Sequence, residues 1–175
     1  VIAEVVKNSG ALTVGVVTTP FSFEGTRRMK NAEEGIKKLA KNVDTLLIIP
    51  NDRLQVVCKE EMTTSNAFKM ADDVLRLGIQ SIAELITVPG EINLDFADVQ
   101  AIMKDAGPAW MSIGYGVGEN RSREAAHQAI SNPLLEVSID GATGVLFNIT
   151  GGSDLKLSEL HEAAEVLQQV VDPNC

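Results

Sequence analysis

The sequence has very few of the residues that build disulfide frameworks or metal centres. Its two cysteines, Cys58 and Cys175, are too few for a framework and form no Cys-x-x-Cys motif. Its two histidines, His127 and His161, have no partner at metal-ligand spacing. Both histidines fall in helical patterns rich in glutamate and alanine, so we expect solvated helix positions. The sequence therefore predicts no metal centre built on histidine or cysteine.

Long hydrophobic runs and an excess of positive charge are also missing. No apolar run approaches the ~18 residues of a membrane span, and no charged-then-apolar leader resembles a signal peptide, which predicts a cytosolic protein. Aspartate and glutamate number 24 against 15 lysines and arginines, and the net charge of −9 repels the phosphate backbones of nucleic acids. A single nucleotide, held by a few local groups and a cation, is compatible with this charge.

The composition that remains is that of an ordinary globular protein. Apolar residues make up 45% and charged residues 22%, and the 175 residues suffice for one compact domain or two small ones. The ends are less ordinary. "VIAEVVKN" has the pattern of a helix without a preceding cap, and "VDPNC" stops at a turn just after a helix. These ends predict a piece of a larger chain.

The first half follows the order strand, helix, strand. "ALTVGVVTTP" and "VDTLLIIP" are nearly continuous apolar runs, typical of strands buried on both faces, and "MKNAEEGIKKLAKN" between them has helical spacing. Such units pair their strands in parallel. Because ligands bind beyond the carboxyl ends of parallel strands, we expect a site at "TPFSFEGTRR" and "PNDRL".

A long amphipathic helix is predicted in "SNAFKMADDVLRLGIQSIAELITVPG". Its apolar stripe covers about 22 residues, or roughly 33 Å of helix, and ends at Pro89-Gly90. The stripe consists of Phe68, Ala71, Leu75, Ile79, Ile82 and Ile86. Beyond it the pattern predicts helices over Phe96–Ala106, "SREAAHQAIS" and "LSELHEAAEVLQQVV", and strands near "WMSIGYGVG" and "GVLFNIT".

Three glycines alternate along the first of these later strands. Gly114, Gly116 and Gly118 lack the G-x-G-x-x-G spacing of a dinucleotide loop. Alternation places all three on one face of the strand. Since strand glycines often mark the close approach of another backbone, we expect a helix packed over that face.

The stretch "PGEINLDFADVQAIM" concentrates the carboxylates Glu91, Asp95 and Asp98 before an apolar helical pattern. Asp95 fits a helix N-cap that accepts from the amide of Asp98, and Asp98 meets the positive end of the helix dipole. A helix beginning near Phe96 therefore explains both aspartates without any chemistry. Taken alone, the stretch favours this structural interpretation over a catalytic one.

Five side chains fall where a nucleotide would bind. In the loop after the first strand, Glu24 can accept from ribose hydroxyls and Arg28 can meet phosphate oxygens, while Asn51 follows the second strand. Phe68 and Asp72 are four residues apart on one helix face, where a ring can stack on a base and a carboxylate can accept from donors that guanine has and adenine lacks.

Each of these five residues also has a structural explanation. Glu24 and Arg28 fit a local ion pair, and Asn51 fits a turn residue. Phe68 fits the core, and Asp72 fits a solvated acid. One at a time the structural explanations are favoured, but the set together resembles a guanosine pocket that lacks a glycine-rich phosphate loop.

Along essentially all 175 residues the chain resembles the FtsZ family, the bacterial homologues of tubulin. The segments that carry this resemblance are "VVTTPFSFEGTRRMKNAEEGI", "VDTLLIIPNDRL", "AFKMADDVLRLGIQSIAELIT", "PGEINLDFADVQAIM" and "AISNPLLE...GATGVLFNITGG". The resemblance implies an α/β fold, in which a parallel Rossmann-like GTPase half is joined by a long central helix to a second α+β domain, truncated at both ends. It implies three parts, residues 1–63, 64–88 and 89–175.

The resemblance also assigns roles. It implies that Glu24 and Arg28 contact the sugar and phosphates of GTP, and that the guanine is lined by Asn51, Phe68 and Asp72. It implies that the Asn-x-Asp-x-x-Asp loop, formed by Asn93, Asp95 and Asp98, enters the nucleotide site of the neighbouring subunit in a filament. These acids would then orient the attacking water, while Mg²⁺ offsets the phosphate charge.

The implied protein is a cytoplasmic GTPase that assembles head to tail into the division ring, and whose partners are regulatory and membrane-tethering proteins. The sequence departs from the family in lacking the glycine-rich phosphate signature, so these residues alone are expected to bind GTP poorly. Two alternatives stay open. The first is a non-catalytic module for filament assembly or regulator binding. The second is an unrelated α/β small-molecule binder, which would leave the ordered acids unexplained.

Overall fold

The structure, a computed structural model, describes residues 1–57, 63–88, 95–131, 142 and 144–171, without the side chains of residues 55–57. The chain divides into two compact units, Val1–Met111 and Ser112–Cys175. The boundaries expected after residues 63 and 88 stay a prediction. Asn93, Glu91 and both cysteines lie outside the described residues.

The first unit is built on a parallel sheet. Strands β1 (Val14–Thr19) and β2 (Thr45–Pro50) pair in parallel, and β3 (Gly107–Ala109) adds to the other side of β2. Helix α2 (Thr26–Ala40) connects β1 to β2, which confirms the predicted strand-helix-strand unit. Helix α1 (Ile2–Asn8) precedes β1, and α3 (Asn51–Val57) follows β2 directly.

The two apolar strands differ in burial. In β2, Leu46, Leu47 and Ile49 are buried, because the strand lies between two neighbours. Every residue of β1 is only partly buried, so the expectation of a strand buried on both faces is wrong for β1. The residues of β1 are less buried because β1 is an edge strand of the described sheet, with a neighbouring strand on one side.

Helix α4 (Thr64–Thr87) is the predicted long helix, and its 24 residues span about 36 Å. It begins at an N-cap in which the Thr63 hydroxyl accepts from the amide of Asn66 at 3.3 Å. Its direction follows from two contacts. The ring of Phe68 lies against Phe21, just beyond the carboxyl end of β1, whereas a β-carbon on Gly78 would lie 3.6 Å from Val16 in the middle of β1. The helix therefore runs antiparallel to β1.

Helix α5 (Phe96–Met103) ends at the amino edge of the sheet. The buried hydroxyl of Thr45, the first residue of β2, donates to the carbonyl of Met103. The predicted helix extended to Ala106 and is three residues too long. The helix ends early because the backbone of Lys104 is extended (ψ 126°), and the left-handed conformation of Asp105 (φ 53°) then turns the chain into β3.

A buried carboxylate organises this amino edge. Asp44 accepts from the amide of Thr13 at 2.8 Å and lies 3.6 Å from the ammonium of Lys7. The Thr13 hydrogen bond and the Lys7 charge hold the pKa of the Asp44 carboxyl below its ordinary value, although burial opposes them. Asp44 is therefore a structural acid, and it lies at the opposite edge from the expected ligand site.

The second unit pairs helices α6 (Arg121–Ile130) and α7 (Leu157–Gln168), both of which were predicted. Their contact is formed by Ala126, Ala163 and Val166, packed with Ile130 and Ile149. His127 and His161 are exposed on these helices, as the sequence pattern predicted.

A guanidinium also joins the starts of the two helices. Arg121 donates to both Glu159 oxygens, at 2.7 and 3.1 Å, and to Asp154 at 2.8 Å. These Arg121 bonds, with the amide of Lys156, lower the pKa of Glu159 to about 2. The carboxylate therefore stays ionised at neutral pH, and the start of α7 is held against the start of α6.

The expected glycine packing is confirmed at two positions and wrong at the third. A β-carbon at Gly114 would collide with the carbonyl of Ala125, and one at Gly116 with the carbonyl of Arg121, because α6 lies directly over this backbone. Gly118 has open space beside it and instead serves a turn with φ 84°. Helix-to-backbone contact therefore explains two glycines, and backbone conformation explains the third.

The two strands predicted for the second half do not form. Residues 110–117 and 144–150 are not strands, although glycine alternates with larger residues over 113–118. Alternation reports that two faces of a segment differ, whereas a strand also needs a hydrogen-bonded neighbour. The sequence pattern contained the first property and not the second.

Candidate functional site

The loop after β1 folds into a short 3₁₀ helix, Ser22–Glu24, whose ends are fixed by one carboxylate. Glu24 accepts from the amide of Phe21 at 2.8 Å through one oxygen, and its other oxygen lies 2.9 Å from Arg28 on the first turn of α2. The Glu24 side chain is 8% exposed, whereas that of Arg28 is 70% exposed. The local ion pair therefore exists, and it leaves most of the guanidinium open to solvent.

Asn51 follows β2 at the same edge of the sheet and is 5% exposed. Its Oδ1 atom is buried and has no hydrogen-bond partner among the described residues. The next residue ties the two loops together, because the Asp52 carboxylate accepts from the amide of Ser22 at 2.9 Å. A buried oxygen without a partner costs free energy unless something else donates to it. A hydrogen bond to Oδ1 from a bound molecule would offset that cost.

Phe68 brings the start of α4 to the same edge. Its ring centroid lies 5.5 Å from that of Phe21 and 6.4 Å from that of Phe23, edge to face in both cases. Phe68 is nevertheless 43% exposed, so it is not a core residue. Phe21 and Phe23 were not singled out from the sequence. Two aromatics flanking one serine in "PFSFEG" were the available signal.

Asp72 lies one turn after Phe68 on α4 and is exposed. Its carboxylate forms no hydrogen bond or ion pair with any residue that the structure describes. Spacing of four residues places the two side chains on one helix face. The structure thus brings Glu24, Arg28, Asn51 and Phe68 to one sheet edge, with Asp72 one turn along. We call these five residues the carboxyl-edge cluster, and their functional roles stay a prediction.

The two described acids of the predicted catalytic loop are placed differently. Asp95 is the N-cap of α5 and accepts from the amide of Asp98 at 2.8 Å, which confirms the predicted cap. Both side chains are exposed. Within the described ranges, neither carboxylate makes a hydrogen bond or ion pair with the carboxyl-edge cluster.

The direction of α4 explains this separation. Phe68 lies at the carboxyl edge of the sheet, and Thr87 lies about 28 Å further along the helix axis, past the middle of β1. Helix α5, which carries the acids, ends against the amino edge at Thr45. The long helix thus leads the chain away from the cluster before the acids occur.

The cluster offers donors and acceptors suited to a nucleotide. It combines an exposed guanidinium for phosphate, an exposed aromatic ring for stacking, and carboxylate and amide oxygens for the donors of a base or sugar. Among the described residues, no group of three or more histidine, cysteine, aspartate or glutamate side chains could hold a metal ion. No helix in the described part of the chain is both long and apolar enough to cross a membrane.

Comparison with known families matches both parts of the chain. Residues 1–59 match the GTPase domain of the tubulin/FtsZ family, and residues 107–175 match the C-terminal domain of the FtsZ family. A solved FtsZ structure from M. jannaschii, a W319Y mutant, is 46% identical over 99% of this chain, with a TM-score of 0.94. The chain belongs to the tubulin/FtsZ family. The α/β fold expected for that family is thereby confirmed.

Two further solved structures are similar to this chain. An empty FtsZ dimer from M. jannaschii is 47% identical over 99% of this chain, with a TM-score of 0.93. CetZ1 from Haloferax volcanii, a GDP-bound monomer, shares the fold at 17% identity over 97% of this chain, with a TM-score of 0.70. The present chain spans about half of each, namely 52%, 50% and 51% of the W319Y mutant, the dimer and CetZ1.

Proposed function

We propose that the protein is a GTP-hydrolysing, filament-forming cell-division protein that binds GTP at the carboxyl-edge cluster. Hydrolysis takes place when a neighbouring subunit supplies the acids of the α5 cap. The protein acts in the cytoplasm, at the division ring, together with regulatory and membrane-tethering proteins. Membership of the tubulin/FtsZ family and the placement of the cluster support this proposal.

The observation that carries the proposal is the buried Asn51 Oδ1 without a partner. It lies at the end of a parallel strand, where α/β proteins bind ligands. Guanine offers amide and amino donors to such an acceptor. A bound guanine therefore satisfies an atom that the described protein residues leave unsatisfied.

The other members of the cluster have complementary roles. Arg28 keeps its guanidinium exposed while Glu24 orients it at 2.9 Å, which prepares the positive charge for phosphate oxygens. Phe68 offers an exposed ring for stacking on the base. The Asp72 carboxylate, which has no partner among the described residues, can accept from the two donors on the Watson–Crick edge of guanine, which selects against adenine.

The acids act between subunits. Self-association is supported by the FtsZ dimer from M. jannaschii among the similar structures. In a head-to-tail filament, the exposed α5 cap of one subunit meets the carboxyl-edge cluster of the next, and Asp95 and Asp98 orient and polarise the attacking water, with Asn93 completing the loop. Mg²⁺ bound with the nucleotide would offset the phosphate charge.

Capping and catalysis are compatible in this arrangement. The hydrogen bond from the Asp98 amide to Asp95 fixes the start of α5 without burying either side chain. The Asp95 carboxylate, held in this way, loses little freedom when a second subunit docks, and pre-organised groups are the more effective in proton transfer. The N-cap of α5 therefore also positions an acid for the proposed reaction.

The test is the Asn51→Leu variant of the protein expressed from its complete reading frame. We expect GDP binding to weaken about tenfold, since a buried hydrogen bond lost at a binding site costs about 1–3 kcal/mol. The free energy of unfolding without nucleotide is expected to stay constant or rise, because no internal hydrogen bond to Oδ1 is removed. Calorimetric titration and chemical denaturation measure the two quantities.

A purely structural Asn51 predicts the reverse pattern, with lower stability and unchanged GDP affinity. That outcome would remove Asn51 from the site. A wild-type protein that binds no guanine nucleotide would contradict the whole proposal and favour a non-catalytic assembly module.

A further inference from the structure

The loop after β1 contains an aromatic pair that the proposed roles leave unused. Phe21 and Phe23 stack with their centroids 5.0 Å apart and their planes 14° from parallel. Phe21 is fully buried, whereas Phe23 is 58% exposed. An exposed phenylalanine on a polar loop gains little from burial, so its contacts with other rings are its main interaction.

The third ring touching this pair is Phe68. A ring stacked beyond one end of the pair would lie about 5 Å from one centroid and roughly 10 Å from the other, given the usual spacing of stacked rings. Phe68 instead lies 5.5 and 6.4 Å from the two centroids, with its plane 89° and 84° from theirs. It therefore lies beside the pair and contacts both rings at once.

This arrangement restricts the Phe68 side chain. Because two nearly parallel rings meet it edge to face, rotation of the Phe68 ring toward another rotamer loses both contacts. Phe21 is anchored by burial, and its amide donates to Glu24, which also holds Arg28. The loop after β1 thus positions both the Arg28 guanidinium, proposed to meet phosphate, and the Phe68 ring, proposed to stack on the base.

We infer that Phe23 is a positioning residue for the nucleobase, acting through Phe68. The inference depends on the proposed function, because it assigns Phe68 to the base. Phe23 covers the side of the Phe68 ring that faces the loop. The remaining exposed surface of Phe68 is available to one flat ligand. The ligand class is a purine nucleotide, since a fixed aromatic face rewards planar stacking.

The test is a double-mutant cycle of Phe23→Ala and Phe68→Ala in the protein expressed from its complete reading frame, with GDP as the probe. We expect Phe23→Ala to weaken GDP binding about two- to tenfold, which corresponds to losing edge-to-face ring contacts. In the Phe68→Ala background, Phe23→Ala should cause almost no further loss, because the ring through which it acts is gone.

Two further variants separate positioning from general stability. Phe23→Tyr keeps the ring and should restore GDP affinity, whereas Phe23→Leu keeps apolar bulk without a ring and should bind GDP nearly as weakly as Phe23→Ala. Phe147→Ala removes an exposed phenylalanine from the second unit and should leave the affinity unchanged. If Phe23→Ala fails to fold, Phe23→Leu takes its place in the cycle.

The possible outcomes distinguish failure of the positioning role from failure of GTP binding. Equal GDP affinity in wild type and Phe23→Ala, or losses that add fully in the double variant, would overturn the positioning role while leaving GTP binding intact. A wild-type protein that binds no GDP would overturn both. Loss of affinity in Phe23→Ala that is rescued by Phe23→Tyr and absent in the Phe68→Ala background supports the inference.

Discussion

Replacing Asp95 with asparagine should lower GTP turnover about 100- to 10,000-fold, the usual contribution of general acid–base catalysis. The substitution removes the carboxylate and keeps the cap, because the asparagine oxygen can still accept from the Asp98 amide that now lies 2.8 Å away. Nucleotide affinity and the melting temperature should therefore stay unchanged, while the rate of phosphate release falls. Asp98→Asn is expected to show the same pattern.

Two control variants separate this result from a loss of structure. Asp95→Ala removes cap and carboxylate together and should lower stability by about 1 kcal/mol in addition to abolishing turnover. Glu165→Gln neutralises an exposed acid on α7 and should leave turnover unchanged. Wild-type turnover in Asp95→Asn and Asp98→Asn would show that the acids serve only the helix start.

Asp72→Ala should reduce the preference for guanine over adenine nucleotides at least about 100-fold, because each of the two hydrogen bonds to the charged carboxylate contributes about 1.5–3 kcal/mol. The Asp72 carboxylate has no partner among the described residues, so its removal breaks no bond within the described structure. Stability should be unaffected. Competition between GDP and ADP for the binding site measures the discrimination directly.

Asp73→Ala is the matched control for this prediction. Asp73 is the adjacent exposed acid, but it points about 100° away around α4 and lies 3.6 Å from Arg76 in an exposed pair. Exposed pairs of this kind contribute little, so neither stability nor discrimination should change much. Unchanged discrimination in Asp72→Ala would remove that residue from the guanine pocket.

The parts of the fold that could be predicted from the sequence are those in which local pattern and tertiary structure agree. The long apolar stripe predicted α4, and the spacing of Asp95 and Asp98 predicted the cap. The strand β3 was missed because it consists of Gly107, Pro108 and Ala109, which are poor strand formers held only by pairing with β2. Helix α3 was missed because it follows β2 without a loop.

The candidate site was predictable as a set of residue types and not as an arrangement. Spacing and strand ends indicated Glu24, Arg28 and Asn51, but the unpartnered Oδ1 atom of Asn51 is visible only in three dimensions. The contacts of Phe68 with the loop rings depend on the direction of α4. That direction also separates the acids from the cluster, a relation that no local pattern contains.

Mixing two inactive variants tests most directly whether the reaction centre is shared between subunits. The Asp95→Asn variant binds GTP but lacks one catalytic acid. The Asp72→Ala variant keeps its acids but binds GTP weakly. The GTP concentration is chosen so that it saturates Asp95→Asn and leaves most Asp72→Ala sites empty. Co-sedimentation verifies that the two variants assemble together. We expect their equimolar mixture to hydrolyse GTP at up to roughly a quarter of the wild-type rate. The reason is that a quarter of the head-to-tail junctions pair an intact nucleotide site with intact acids. A co-assembled mixture no faster than the sum of its two components would contradict the account.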